Sequence, residues 1–257
     1  MTRWLLTLGG MALLLAAGCI KMDQDLTVNA DGSADIKMHY AMTEEAITQL
    51  EAMKQMAAKN PDMKVESQGP DLAFDEAKIK AEFEKNQAAG VELKSCKVET
   101  KEGWKHAYLE AHCKDLAAAA KGTGSASQGG FSLTKNAEGN YVLEMAGKDK
   151  AAGAGARKNL SPEQKAQQDV LMKTMMAGLR IEIKLNVPGD VLETTATSKD
   201  KRTATWLLDI NDEKFSEKSE ALGEKGIKVT FSGKGLDLKE FKSAPPAAEP
   251  AKDAEPK

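Results

Sequence analysis

The side chains in this sequence with the best claim to chemistry are three cysteines, three histidines and the run Ser198-Lys199-Asp200-Lys201. Cys19 closes Leu15-Ala16-Ala17-Gly18-Cys19, where Ala17 and Gly18 are small enough for extended backbone to enter a signal-peptidase cleft. Its thiol is the only side chain in that window nucleophilic enough to accept a diacylglyceryl group. Cys96 and Cys113 remain, and export to an oxidising compartment makes a disulfide between them reasonable. A hairpin that pairs Thr100 with Trp104 argues the other way: Cys96 then faces Tyr108 and Cys113 lies five residues further on, beyond the Cα–Cα limit of about 7 Å. A bridge needs a bulge or an early end to the second strand, so bridge and free thiols both stay open.

The histidines carry less. His106, His112 and Cys113, taken with Cys96, match no closed zinc spacing, and two imidazoles on an exposed strand face explain them better. His39 stands without an evident partner. Ser198 and Lys201 have the spacing of penicillin-recognising enzymes, but that chemistry needs the pair at a helix start and this run reads as a turn. Gly153-Ala154-Gly155 and Gly233-Lys234-Gly235 lack the full run of a phosphate cradle. The expectation is therefore no catalytic residues, no metal ligands and no cofactor.

Cys19 has a context. Met1-Thr2-Arg3 carries one cation, and Trp4 to Ala17 is apolar or small, which is the pattern of an export signal. The run is shorter than the roughly 20 residues a transmembrane helix needs. It resembles the lipobox of bacterial lipoproteins, with Ala16 where Leu is preferred. That resemblance implies lipidation of Cys19, cleavage before it and acylation of the new amine. Two or three acyl chains hold firmly, at about 0.8 kcal/mol per buried CH₂. Ile20, not Asp, follows the cysteine, which in a Gram-negative cell would be the default for the outer membrane facing the periplasm.

Composition narrows the rest. The 257 residues contain 36 Lys and Arg against 39 Asp and Glu, so no basic excess argues for nucleic acid. Charged residues at 29% exclude a polytopic membrane protein, and aromatics at 5% leave the core to aliphatic side chains.

The elements that must position these residues follow from pattern. Leu26 and Val28, then Ile36, Met38 and Tyr40, alternate around Asn29-Ala30-Asp31-Gly32-Ser33 and predict a hairpin. Thr43 caps a helix to about Lys59, with Met42 and Ile47 as its staple. A second helix spans about Asp75 to Ala89, stapled by Phe74 and Ile79 and stopped at Gly90. Val91 to Thr100 and Trp104 to Cys113 form a hairpin, Leu116 to Lys121 a short helix, and Phe131 to Lys135 with Asn140 to Met145 another hairpin. Gly122 to Gly130 and Lys148 to Asn159 read as loops, and Ser161-Pro162-Glu163-Gln164 starts a helix ending at Gly178. Strands at Arg180 to Val187, Val191 to Thr197 and Thr203 to Ile210 turn at Pro188-Gly189 and at Ser198 to Lys201. A helix from Glu213 to Glu224 and a strand from Ile227 to Phe231 complete the pattern. Short connections favour antiparallel neighbours, so the expected fold is α+β, a largely antiparallel sheet with several helices packed on one face. Met53, Met56, Met172, Met175 and Met176 are read as filler of an aromatic-poor core in preference to an apolar groove.

Two stretches carry a further likeness. Asp25-Leu26-Thr27-Val28-Asn29-Ala30-Asp31-Gly32-Ser33 follows Cys19, and Ile181 to Val191 with its Pro188-Gly189 turn precedes Thr203-Ala204-Thr205-Trp206. Together these resemble the LppM-type lipoprotein domain of actinobacteria and relatives. The resemblance implies an α+β envelope domain with a lipid-binding role and no catalytic residues. The expected layout is a signal peptide at 1–18, the domain at 19–242 and a disordered Pro/Ala/Glu/Lys tail at 243–257. Members often end in a membrane helix, where this chain has that polar tail. The function expected is that of a non-catalytic envelope lipoprotein, held to a membrane through Cys19, that binds a lipid or apolar ligand or a protein partner. The alternative is a structural or assembly lipoprotein acting through protein contacts only.

Overall fold

The computed structural model describes residues 20–48, 51–52, 74–85, 90–122, 131–145, 161 and 177–242. Cys19, the expected signal peptide and tail, the segments carrying Met53, Met56, Met172, Met175 and Met176, and the helix expected from Ser161 lie outside these residues.

The described residues form two sheets. The larger contains β1 (Ile20–Val28), β2 (Ala34–Thr43), β3 (Val91–Lys101), β4 (Trp104–Cys113), β7 (Arg180–Asn186), β9 (Ser198–Asp200) and β10 (Thr203–Asp209), in the order β3-β4-β2-β1-β7-β10-β9. The smaller contains β5 (Phe131–Lys135), β6 (Tyr141–Met145), β8 (Val191–Thr194), β11 (Ile227–Phe231) and β12 (Phe241–Lys242), in the order β12-β5-β6-β11-β8. Three helices have full bounds: α1 (Glu76–Lys85), α2 (Leu116–Gly122) and α3 (Phe215–Lys225).

The α+β class holds, and one sheet becomes two. All pairings are antiparallel except β1 with β7. The three strands expected in sequence after Arg180 do not stay together. β10 pairs with β7, whereas β8 crosses to the smaller sheet and pairs with β11. Gly189 permits the crossing: a Cβ there would sit 2.1 Å from the Ser232 carbonyl oxygen, so only glycine lets the two segments meet. Ser198 to Asp200 is an edge strand on β10, not a turn, so Ser198 and Lys201 do not open a helix.

Local signals account for the hairpins. Asn29 to Ser33 closes through Asn29 N–H donating to the Ser33 carbonyl at 2.9 Å, with Gly32 at φ +85°. The β3–β4 loop is two residues, Glu102 and Gly103, at φ +53° and +76°, the double left-handed pattern of a type I′ turn. Lys101 therefore pairs with Trp104 and Thr100 with Lys105, one residue away from the expected register. Cys96 then lies opposite Leu109 and Cys113 opposite Val91. Both are buried free thiols, and the disulfide left open by the sequence is not formed.

Helix starts are capped as the sequence requires. Asp75 Oδ1 accepts from the amides of Ala77 and Lys78 at 3.0 and 3.1 Å, and Thr43 Oγ1 accepts from Ala46 at 3.3 Å. Three cores result. The largest joins the two sheets and α2, with Val28, Leu143, Leu185, Trp206 and Phe231 among its members. Ile79 of α1 packs with Tyr40, Cys96 and Ala107, and Phe74 meets Tyr40 edge-on at 5.2 Å. Phe215 of α3 packs with Leu179, Leu208 and Ile210.

Candidate functional site

Strand alternation gives the larger sheet two chemically different faces. On the apolar face, Met22, Ile36 and Met38 belong to none of the three buried cores and are each only partly buried. Their neighbours in register are apolar or amide: Met22 pairs with Tyr40 and Ile181, Met38 with Gln24 and Leu109, and Ile36 with Leu26 and Ala111. The result is a flexible, sulfur-rich floor at the centre of the sheet, flanked by packed cores.

The opposite face gathers what the sequence kept apart. Tyr108, His39, Asp23 and Glu182 lie in one cross-strand row over β4, β2, β1 and β7. His39 Nδ1 meets Asp23 Oδ2 at 3.0 Å, and His39 Nε2 meets His106 Nδ1 at 3.1 Å. The two imidazole planes are within 9° and their centroids 5.4 Å apart. That exceeds the nitrogen–nitrogen distance by about two ring radii, so the rings lie end to end along one N–H···N hydrogen bond. With Asp23 ionised, His39 donates from Nδ1 and accepts at Nε2 from Nδ1–H of His106. Tyr108 stacks on His39 at 4.5 Å, and Arg180 donates to the other Asp23 oxygen at 3.1 Å.

Arg180 also pairs with Glu182, which Lys184 holds on its other oxygen at 2.6 Å. Lys184 first and then Arg180 keep the Glu182 carboxyl below its ordinary range. His106 is lowered in proton affinity by burial first and then by the facing His39. His112 does not join this chain; it pairs with Asp35 at 2.8 Å, and Asp35 is held low by Asn29 first and by His112 next. A shallow depression of about 290 Å³ lies between these side chains, lined by Asp23, Lys37, His39, Tyr108, Glu182 and Lys184.

Such an arrangement can share and move a proton across three strands. No group of three or more His, Cys, Asp or Glu among the described residues could hold a metal ion. Burial raises the proton affinity of both Cys96 and Cys113, which makes them poor nucleophiles. His39, expected to be alone, is the centre of the network. Asp23 could have been found from the alternation of Lys21, Asp23 and Asp25, but the run is too polar to announce a strand.

A family model described as the LppM domain matches residues 21–221. The chain belongs to the LppM domain family. LppM is a lipoprotein family, and membership in it implies a bacterial envelope-associated protein. Among solved structures, the NMR structure of the folded domain of Mycobacterium tuberculosis LppM is similar at 12% identity, over 86% of this chain and 96% of that one, with a TM-score of 0.38. Yeast LTA4 hydrolase in complex with bestatin is similar at 7% identity, over 84% of this chain and 28% of that one, with a TM-score of 0.31. No curated protein matches the sequence.

Proposed function

We propose that this LppM-family chain is a lipoprotein anchored through Cys19, whose domain holds a lipid or another apolar ligand without catalysis. In this reading residues 1–18 are removed, 19–242 form the envelope domain and 243–257 follow as a Pro/Ala/Glu/Lys tail. The observation that supports the ligand is the partly exposed floor of Met22, Ile36 and Met38. Thioethers and a β-branched side chain offer adaptable apolar contact, with the uncharged Gln24 amide beside Met22 and Met38. The anchor is supported by the lipobox-like sequence ending in Cys19.

A photoreactive fatty acid or phospholipid tests the ligand. The label should attach to peptides containing Met22 or Met38, and Met38→Glu should abolish it while thermal melting stays cooperative. Label spread evenly over the surface, or unchanged by Met38→Glu, would remove the lipid reading. In that case the polar face, with its hydrogen-bonded and only partly exposed side chains, favours the second reading of a protein that works through protein contacts. Cys19→Ala should abolish acyl mass and move the chain out of the membrane fraction.

A further inference from the structure

If Cys19 carries the acyl chains, as proposed above, the start of β1 fixes which part of the domain meets the bilayer. Ile20 is already a paired strand residue, opposite Met42. A single peptide unit, about 3.8 Å between Cα atoms, therefore separates the anchor from a rigid sheet. No flexible stretch stands between them to let the domain swing away. β1 is also the central strand of the seven, so the constraint falls on the middle of the sheet and not on an edge.

Register identifies what lies at that end. Lys105 is level with Met42, and Trp104 and Lys101 are level with Thr43. Lys101 and Lys21 are exposed and Trp104 is partly exposed. The Lys21 ammonium sits over the Trp104 ring, 4.5 Å from its centroid. An indole held beside ammonium groups at the level of an acyl anchor has the amphipathic character of the headgroup layer, where Trp and Lys side chains keep one end apolar and the other wet. The opposite end of β1, at Val28 and the Asn29 to Ser33 turn, lies about 27 Å away at roughly 3.3 Å per residue.

We propose that the edge formed by Lys21, Lys101, Trp104 and Lys105 rests on the same membrane that receives the Cys19 acyl chains, with the Trp104 indole in the headgroup layer. The sheet then stands up from the bilayer, and both of its faces remain reachable from the side.

The test uses the full acylated chain, its acyl mass verified, in phosphatidylcholine vesicles carrying brominated or doxyl lipids. Trp104 and Trp206 are the tryptophans that remain after leader removal, and Trp206 is only 2% exposed. Trp104 emission should shift to the blue and lose most of its intensity to shallow quenchers, while an indole added by Ala30→Trp in the distal turn should be untouched. A flexible Gly/Ser linker of about ten residues inserted before Ile20 should restore Trp104 emission without altering the fold. Acylated protein on vesicles whose Trp104 is quenched no more than the distal indole would overturn the orientation and leave the anchor intact. Absence of acyl mass would instead remove the anchor and the orientation with it.

Discussion

Tyr141→Phe isolates one interaction that ties the carboxyl-terminal segment to the core. Tyr141 is 1% exposed, and its hydroxyl is clamped by one residue in both directions. The phenol donates to the Leu238 carbonyl at 3.2 Å and accepts from the Leu238 amide at 2.8 Å. Leu238 is itself 4% exposed, so water cannot readily replace either bond. Removing the oxygen keeps the ring contact with Phe231, 5.7 Å between centroids, and strands one N–H and one carbonyl. Each stranded group costs about 1–3 kcal/mol, the longer bond to the carbonyl at the lower end, so the expected loss is about 2–4 kcal/mol. For a chain of this size that lowers Tm by roughly 4–16 °C. Urea unfolding of the unacylated chain should show a lower midpoint at unchanged slope. A loss under about 0.5 kcal/mol would refute the reasoning, because it would mean that the segment around Leu238 relaxes to rebuild its hydrogen bonds.

Three further outcomes follow from local geometry. Gly189→Ala and Gly233→Ala each drive a Cβ to within 2.1 and 2.0 Å of a backbone carbonyl oxygen, Ser232 and Gly139 respectively, and each should cost more than about 2 kcal/mol in the same urea assay. Glu102 occupies the left-handed region at φ +53° in the β3–β4 turn, so Glu102→Asn should raise stability by up to about 1 kcal/mol, read as a higher urea midpoint. His106 has its proton affinity lowered from the ordinary 6.5, by burial first and by His39 next. The unfolded chain then takes the proton first, so the His106 contribution is fully present above pH 6.5 and is lost as pH falls through the lower folded value. Urea midpoints between pH 7.5 and 5 should fall less steeply in His106→Gln than in the parent chain.

Much of the architecture is legible where pattern and turn chemistry agree. Asn29 to Ser33 and the Asp75 cap follow from short-range rules, because the residues that set them are neighbours in sequence. The second sheet is not legible in that way. β8 leaves β7 because Gly189 can touch Ser232, forty-three positions along the chain, and no local signal announces such an approach. β1 was expected to begin near Leu26, yet it pairs from Ile20, because its two faces carry Lys21, Asp23 and Asp25 on one side and Met22, Gln24 and Leu26 on the other. That alternation is masked by the overall polarity of the run. The histidine chain depends on it: His39 gains Asp23 only once β1 lies beside β2, and His106 only once β4 lies on the other side.

The apolar floor, the histidine network and the Trp104 edge all involve one strand. Met22 lies in the apolar floor, Asp23 meets His39 on the reverse face, and Lys21 covers Trp104 at the Ile20 end. A strand whose side chains alternate cannot slip by one residue without exchanging its two faces. For β1 such a slip would put Asp23 among Met38 and Leu109 and turn Met22 toward His39. The parallel pairing with β7 guards against it from the far side, because Asn186 donates to Asp25 at 2.6 Å and to Thr27 at 3.1 Å, both on the polar face. The same carboxylates that make the run look unlike a strand are thus the groups that lock its register. The polarity that hides β1 from sequence pattern is what keeps the methionine floor on one face and the histidine pair and Trp104 on the other.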